Sequence, residues 1–284
     1  MLSKERVLEL KLTANEIRKE IIKTIASIGV GHVGGSLSIA DLLAVLYFDE
    51  MKVDPKNPKW EGRDCLVCSK GHAGPAVYST LALRGFFDKE MLYTLNKPNT
   101  NLPSHCDMNR TPGIDMTTGS LGQGTSCASG IALANKRDGK DDLYTYLIIG
   151  DGETQEGQVW ENAMFAAHYK LGNLIAFTDC NKLQIDGPTD DVMSLGDLKA
   201  KYEAFGWDTV RVDGHDVEAI HNAIEAAKKV ADKPHMILLD TVKGKGIAGY
   251  EGSVGCHNAN INAEQAAAYL AELDAIEKNL KEGK

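Results

Sequence analysis

The sequence predicts an α/β fold: a doubly wound, mostly parallel sheet in three layers, with helices on both faces. Short apolar runs alternate along the chain with longer segments whose apolar residues recur at helical spacing. Such alternation is typical of parallel sheets covered by helices. Because no repeat, low-complexity tract or Ser/Gly linker interrupts it, we expect residues 1–284 to form a single domain.

The predicted elements follow in chain order. We expect helices at 3–28, 39–51, 75–83, 125–137, 194–205, 217–230 and 263–281, and one more between 150 and 174. Strands are expected at 64–69, 143–149, 174–177, 207–212 and 234–242. Between them, residues 96–118 contain several prolines and few apolar residues, which predicts a long loop. Loops of that length inside a domain are usually functional.

Composition excludes several classes of protein. The chain is 43% hydrophobic and 25% charged, as expected of a globular protein, and its net charge of −9 gives no indication of a nucleic-acid or membrane-surface partner. The charged N-terminus lacks the apolar core of a signal peptide. No apolar run approaches the roughly 18 residues of a membrane span. We therefore expect a cytoplasmic protein.

The six cysteines include one pair with CxxC spacing, Cys65 and Cys68. This spacing is found in redox and metal sites. Here the pair lies inside an apolar run, DCLVC, and no second CxxC is present. We therefore interpret both as buried free thiols.

The segment from Leu143 to Leu183 is predicted to form a strand–helix–strand unit. Its first strand ends at the turn Gly150-Asp151-Gly152, and its second ends just before Asn181. Parallel strands end at the same edge of the sheet, where open α/β sheets bind ligands. Asp151 and Asn181 should therefore lie side by side. Their oxygen atoms suit Mg²⁺ or Ca²⁺ and leave room for a diphosphate, although two ordinary polar turns would give the same pattern.

Four histidines lie in loops: His32 in a glycine-rich segment, His72 after the first strand, His105 in the long loop, and His257 near a glycine-rich tail loop. None has HxxxH spacing, so a zinc site is not predicted. Taken singly, each is also compatible with an ordinary loop histidine. Glycine-rich loops before helices either receive phosphates or turn the chain tightly.

Residues 150–183 resemble the thiamine-diphosphate-binding motif of transketolases, which is GDG-x-x-x-EG followed by a helix, a strand and D-x-N-[KR]-[ILM]. The segment reads GDGETQEGQVWENAMFAAHYKLGNLIAFTDCNKL. The resemblance implies that Asp151 and Asn181 bind Mg²⁺ through their side chains and Leu183 through its carbonyl. Gly152 would allow the backbone to approach the diphosphate. Lys182 stands where the wider thiamine family has a second Asn, a departure that transketolases share.

The resemblance extends over nearly the whole chain, through SIGVGHVGGSLSIADLL, SKGHA, TTGSLGQG and TVKGKGIAG. It implies that His32, His105 and His257 contact the hydroxyls of a sugar donor, and that His72 lies near the reacting carbon and the cofactor phosphate. Two segments depart from the family. His105 lies in LPSHCDM rather than a Gly-His-Pro segment, and His257 in GCHN rather than Trp-His-Gly.

Further roles are implied by the same resemblance. Lys70 and Lys243 would supply positive charge beside the cofactor and its diphosphate. Gly119 and Leu121 would contact the aminopyrimidine ring through their backbone. Glu156 is assigned to a proton network near a dimer interface.

Transketolases are about twice as long as this chain, and the resemblance covers only their diphosphate-binding domain. The carboxylate that protonates the pyrimidine belongs to the next domain. The resemblance therefore implies the N-terminal subunit of a split transketolase of the pentose phosphate pathway, acting with a separately encoded C-terminal subunit in an α2β2 heterotetramer. The pair would transfer a two-carbon ketol unit from a ketose phosphate to an aldose phosphate.

Two alternatives remain open at this stage. One is a related thiamine-dependent subunit of the dihydroxyacetone or sulfo-sugar type; a deoxyxylulose-phosphate synthase is less compatible with the wording of the loops. The other is an inactive cofactor-binding scaffold. The presence of both Asp151 and Asn181 favours an active site over a scaffold.

Overall fold

The computed structural model describes residues 1–283 and is built around a five-stranded parallel sheet. The strands are β1 (Val30–Gly31), β2 (Cys65–Cys68), β3 (Thr145–Gly150), β4 (Leu174–Cys180), β5 (Asp208–Asp213), β6 (His235–Asp240) and β7 (Ala259–Asn260). The central sheet has the order β2-β3-β4-β6-β5, while β1 and β7 form a separate antiparallel pair. The predicted α/β fold with a mostly parallel sheet is confirmed.

Helices connect the strands. They are α1 (Lys4–Ala26), α2 (Gly34–Leu37), α3 (Ala40–Val45), α4 (Gly74–Arg84), α5 (Gln123–Arg137), α6 (Gly157–His168), α7 (Thr189–Met193), α8 (Leu198–Ala204), α9 (Val217–Ala227) and α10 (Ala263–Lys281). A π-helical turn, Leu46–Glu50, extends α3. Short 3₁₀ turns follow β2 and β3, at Gly71–Ala73 and Gly152–Gln155, and lead into the next helices.

Four of the five strands of the sheet are buried on both faces, which gives the three predicted layers. Successive side chains of a strand point to opposite faces. Accordingly Tyr146 and Ile148 pack in one hydrophobic core with α1, α3, α4 and α9, whereas Leu147 and Ile149 pack in a second core with α5, α6 and α8. Because neither face of β2, β3, β4 and β6 meets water, these strands are nearly continuously apolar, which is typical of parallel sheets, whereas the edge strand β5 is largely exposed.

Strand register brings the polar ends of the strands together. Gly150 at the end of β3 pairs with Asp179 of β4, and Cys180 pairs with Asp240 at the end of β6. Asp151, Asn181 and Thr241 follow these strands directly. Polar side chains that are distant in the sequence therefore meet at the carboxyl edge of the sheet.

Some boundaries differ from the prediction. The helix expected at 194–205 begins only at Leu198, because Gly196 has a left-handed backbone (φ +59) and Asp197 caps the helix by accepting from the backbone N–H of Ala200. The preceding helix, α7, was not predicted. Neither were β1 and β7, which at two residues each are too short to show a period.

Cys65 and Cys68 are free thiols, as predicted, but Cys65 is only partly buried. Cys68 is buried, and burial raises the pKa of its thiol to about 12. A thiol with so high a pKa is a poor nucleophile and metal ligand at neutral pH. None of the helices in residues 1–283 is both long enough and apolar enough to cross a bilayer.

Candidate active site

A cleft of about 370 Å³ opens at the carboxyl edge of the parallel sheet. Every site residue predicted from the sequence lines it: His32, Lys70, His72, His105, Gly119, Leu121, Asp151, Gly152, Asn181, Leu183, Lys243 and His257. These residues come from loops spread over more than 200 positions of the chain. The roles that the resemblance gives them remain predictions, but their meeting in one cleft is a property of the fold.

The four loop histidines form one cluster. The ring centroid of His32 lies 5.4 Å from that of His72, 5.6 Å from that of His105 and 5.5 Å from that of His257. The rings of His72 and His257 are 5.1 Å apart. The antiparallel pair of β1 and β7 explains how His32 and His257 meet, because it fixes the segment before His32 against the segment after His257.

These histidines are held in the neutral form. Burial, reinforced by the positive charge of Lys243, lowers the pKa of His257 to about 4. Burial and then the charge of Lys70 lower the pKa of His72 well below its usual value. Burial also lowers the pKa of His32 and of His105. A neutral imidazole offers one donor and one acceptor, so the cluster can both donate and accept hydrogen bonds.

The predicted metal ligands lie together beside the histidines. Asp151 accepts hydrogen bonds from the backbone N–H of Gly152 (2.7 Å) and of Lys182 (2.5 Å). Lys182 has a left-handed backbone (φ +64), which is rare for a residue with a side chain and is found at strained functional loops. Asn181 and Leu183 flank this turn, and all three predicted ligands line the same cleft.

The negative charge of the Asp151 carboxylate is not balanced by an ion-pair partner among residues 1–283. Burial raises the pKa of its carboxyl to about 6, and repulsion from the nearby Asp179 carboxylate adds to the effect. A buried anion of this kind is stabilised by a cation. The carboxylate, the Asn181 amide oxygen and the Leu183 carbonyl are hard oxygen donors, so the residues present fit Mg²⁺ or Ca²⁺.

A buried ion pair between Lys70 and Asp179 supports this edge of the sheet. The Lys70 Nζ lies 2.5 Å from Asp179 Oδ2, and the two side chains are 2% and 0% exposed. Ser38 Oγ (2.7 Å) and Asn181 Nδ2 (3.0 Å) donate to the same carboxylate, as does Thr241 Oγ1. Burial alone would raise the pKa of Asp179, but the Lys70 charge and these hydrogen bonds hold it below its usual value.

The two lysines of the cleft therefore differ. The charge of Lys70 is compensated by Asp179, whereas Lys243 makes no ion pair with a carboxylate among residues 1–283. The Lys243 Nζ instead donates to the Leu183 carbonyl (3.3 Å) and to His257 Nδ1 (3.1 Å). Burial, opposed in part by the thiol of Cys256, lowers the pKa of Lys243. Lys243 is thus the cation of the cleft with charge available for an anionic ligand.

Glu153 holds three of the cleft loops together, a role that sequence reasoning missed. Its buried carboxylate accepts from Ser69 Oγ, from the backbone N–H of Gly122 (2.8 Å) and from the backbone N–H of Gly150 (3.1 Å). The sequence places Glu153 directly after the GDG turn but gives no indication of these partners. They lie 3, 31 and 84 residues away.

Close packing of two loops requires glycine. A Cβ on Gly124 would lie 2.6 Å from Ser69 Oγ, and Gly122 has a left-handed backbone (φ +80). Both features bring the N-terminus of α5 against the loop after β2. The segment TTGSLGQG thus forms one wall of the cleft, with Gly119 packed beside His105.

The mouth of the cleft is apolar in part. Leu121 is 38% exposed and Ile185 is 66% exposed, and both line the opening. Glu156 also lines it and is exposed. Its predicted place in a proton network stays a prediction.

A second cluster of ionisable groups, Asp49, Glu50 and His221, lies outside the cleft, with three ligand-type atoms within 4.8 Å of one another. Arg6 pairs with Asp49 and Lys228 with Glu50. Each carboxylate thus already has a cationic partner. The cluster is accounted for as an ion-pair network between α1, the π-helical turn and α9.

Comparison with known proteins gives the site its context. The family described as transketolase, thiamine diphosphate binding domain, matches residues 10–275. The chain belongs to the transketolase family. It is 55% identical to a 6-deoxy-6-sulfo-D-fructose transketolase subunit of Clostridium sp. (strain MSTE9), over 95% of this chain and 98% of that protein. It is 40% identical to an apulose-4-phosphate transketolase subunit of Phocaeicola vulgatus, over 96% of this chain and 97% of that protein.

Solved transketolase structures share the fold of this family member. A complex of the Pichia stipitis transketolase with sedoheptulose 7-phosphate superposes with a TM-score of 0.85 at 34% identity. The match covers 97% of this chain and 46% of that one, so the chain spans about half the length of that transketolase. The resemblance to N-terminal, diphosphate-binding transketolase subunits is confirmed, and with it thiamine-diphosphate-dependent ketol transfer as the family-level function.

Replacing Glu153 tests its role in joining the loops. Glu153→Gln puts an NH₂ group where one carboxylate oxygen accepts a backbone N–H, so we expect the free energy of unfolding to fall by about 1–3 kcal/mol. Urea unfolding at pH about 8 measures it. Glu156→Gln makes the same change at an exposed position and should have no measurable effect. Equal stability of the two variants would contradict the role of Glu153.

The low pKa of His257 predicts a specific pH dependence. Between pH about 6.5 and 4 the unfolded chain binds a proton at His257 that the folded chain does not, so the contribution of this residue to stability falls as the pH falls. We expect the stability of the wild type relative to His257→Gln to be constant above pH about 7 and to decline below it. Urea unfolding across this range measures the difference. A difference that does not change with pH would show that His257 titrates normally.

Proposed function

We propose that this transketolase-family chain is the N-terminal subunit of a two-chain enzyme that transfers a two-carbon ketol unit. The observation that carries the proposal is the composition of the cleft: three oxygen donors in one lining, one lysine without an ion-pair partner among residues 1–283, and four clustered neutral histidines. We propose that residues 1–284 form one diphosphate-binding domain.

The residues of the cleft fit thiamine diphosphate and a divalent cation. Asp151, Asn181 and Leu183 would hold Mg²⁺ or Ca²⁺, and Lys243 would attract the diphosphate. Gly152 would admit the diphosphate close to the backbone, and Gly119 and Leu121 would contact the aminopyrimidine. When bound, thiamine diphosphate supplies an electron sink for the electron pair of the broken carbon–carbon bond.

The histidines would manage protons and bind hydroxyl groups. The Lys243 ammonium can only donate, so His257 Nδ1 accepts, and the proton of the neutral ring is on Nε2. His257 thus carries a donor suited to a sugar oxygen. His32 and His105 would bind further hydroxyls of the donor, and His72, deeper in the cleft, would serve the reacting carbon. A neutral imidazole can take a proton from a sugar hydroxyl as base in one step, and the imidazolium formed there can return the proton as acid in a later step.

A separate partner chain would complete the site. Two relatives that match this chain over almost their whole length are named as transketolase subunits, which supports a split enzyme. The exposed apolar residues Leu121 and Ile185 at the mouth of the cleft support a covering chain on that side. We propose an α2β2 assembly in which the C-terminal subunit contributes the pyrimidine-binding domain.

The donor is proposed to be a ketose that carries an anionic group, and the acceptor an aldose phosphate. A ketose phosphate is the first candidate. The 55% identity to a 6-deoxy-6-sulfo-D-fructose transketolase subunit favours a second, the sulfonated ketose named there. A scaffold without activity is disfavoured, since Asp151, Asn181 and Leu183 are all present and line the same cleft.

Removing the central metal ligand tests the cofactor assignment. Asp151→Ala should abolish Mg²⁺-dependent retention of thiamine diphosphate by the two-chain complex, because the metal loses its only carboxylate ligand. Equilibrium dialysis with and without Mg²⁺ measures retention, and circular dichroism checks that the variant is folded. Asp190→Ala, an exposed aspartate outside the cleft lining, is the matched control. Unchanged retention in Asp151→Ala would remove the metal assignment.

A donor screen tests the reaction. The chain, a candidate C-terminal subunit, Mg²⁺ and thiamine diphosphate are mixed with an aldose phosphate and either fructose 6-phosphate or 6-deoxy-6-sulfo-D-fructose. We expect ketol transfer only when both chains are present. The two donors differ at carbon 6, so their kcat/KM ratio reports which anionic group the enzyme prefers. Full activity of the chain alone would contradict the two-chain proposal, and no transfer from either donor would contradict this substrate class.

A further inference from the structure

The segment that carries Lys243 is anchored at three consecutive residues after the end of β6. Thr241 Oγ1 donates to the buried carboxylate of Asp179. The backbone N–H of Val242 donates to His215 Nε2 at 2.9 Å. The Lys243 Nζ donates to the Leu183 carbonyl. The contacts of Thr241 and Lys243 belong to the cleft region already described, whereas the contact of Val242 is with a residue outside that region.

The Val242 contact determines where the proton of His215 lies. A backbone N–H can only donate, so His215 Nε2 must accept, and this nitrogen carries no proton. His215 is therefore the Nδ1–H form, and Nδ1 lies 2.8 Å from Asp41 Oδ2, a carboxylate oxygen that can only accept. The two contacts of the imidazole ring thus require the same neutral tautomer.

Asp41 is a fixed acceptor for this ring. It is buried in α3 and also accepts hydrogen bonds from both terminal nitrogens of Arg18 in α1. Burial would raise its pKa, but the charge of Arg18 and the hydrogen bond of His215 lower it to about 2. Asp41 remains ionised at any pH near neutrality. A continuous chain of contacts therefore runs from α1 through α3 and the β5–α9 loop to the Val242 amide.

The backbone beyond Val242 has little room to adjust. A Cβ on Gly34 would lie 2.9 Å from Lys243 Cγ, so the Lys243 side chain is packed against the first residue of α2. The N–H of Gly244 donates to the Gly34 carbonyl at 3.1 Å, and Gly244 itself has a left-handed backbone (φ +80). A shift of Val242 would thus move Lys243 relative to the Leu183 carbonyl.

We propose that His215, oriented by Asp41, is a positioning residue that holds the backbone of Val242 and thereby places Lys243 in the cofactor cleft. The inference rests on the proposed function in one respect only, which is the identity of the ligand that Lys243 would bind. His215 itself is not part of the cleft lining, and its hydrogen bonds involve none of the predicted metal ligands. The positioning is a property of the chain with or without cofactor.

The first test reads the tautomer in the wild-type chain, without any substitution. Long-range proton–nitrogen NMR on the protein with ¹⁵N-labelled histidine should show His215 as neutral with its proton on Nδ1. A proton on Nε2, or on both nitrogens, at pH about 7.5 would overturn the proposal, because Nε2 could then not accept from Val242. This measurement does not depend on cofactor binding.

The second test removes the acceptor. His215→Leu should accelerate amide hydrogen exchange in residues 241–247 of the isolated chain. In the two-chain complex it should raise the Kd for thiamine diphosphate at saturating Mg²⁺ about tenfold, the order of effect of one lost hydrogen bond. His215→Gln keeps an acceptor oxygen and should restore most of the affinity and the slow exchange.

His221→Leu is the matched control. His221 lies in α9, in the ion-pair network that lies outside the cleft, and the substitution is chemically the same. It should change stability but neither the exchange of residues 241–247 nor the Kd. Wild-type exchange in His215→Leu, or an equal change in His221→Leu, would overturn the positioning role. If the wild-type complex binds no thiamine diphosphate, the proposed function fails, while the exchange and NMR results still decide the role of His215.

Discussion

The ion pair between Lys70 and Asp179 lies where several segments of the chain end. It joins the loop after β2 to the carboxyl end of strand β4. Hydrogen bonds from Ser38, Asn181 and Thr241 to the same carboxylate connect it to the ends of α2, β4 and β6. Removing one partner of so buried a pair typically costs about 3–5 kcal/mol, because the other charge is left unpaired. The cleft depends on this pair in a geometric sense as well, since Asn181 takes its orientation from Asp179.

The pair also divides the electrostatic roles within the cleft. Asp179 compensates Lys70, whereas two charged groups at the predicted cofactor position have no ion-pair partner among residues 1–283: the Asp151 carboxylate and the Lys243 ammonium. One favours a cation and the other an anion, which matches a metal ion bound together with a phosphate group. The neutral histidines add donors and acceptors without altering this balance.

The sequence predicted the sheet and the cleft lining well, for identifiable reasons. Apolar runs bounded by glycine reveal parallel strands, and residues that directly follow such strands share an edge, which is enough to bring Asp151 and Asn181 together. The histidines required the family resemblance, because a single loop histidine carries no spacing information. Glu153, Asp179 and the Asp41–His215 pair were missed. Most of their partners lie between 31 and 174 positions away, and no local pattern encodes such pairings.

The two-residue ladder between β1 and β7 has a consequence for biosynthesis. It pairs Val30 with Asn260 and Gly31 with Ala259, so the first and last walls of the cleft are closed against each other by residues more than 220 positions apart. On the ribosome, the parallel sheet can assemble once β6 has emerged, since domains generally fold as units during synthesis. The histidine cluster cannot form at that point, because His257 and strand β7 emerge from the exit tunnel later than every strand of that sheet. We therefore expect nascent chains to assemble the parallel sheet before they acquire the complete wall of the cleft that a ligand would contact.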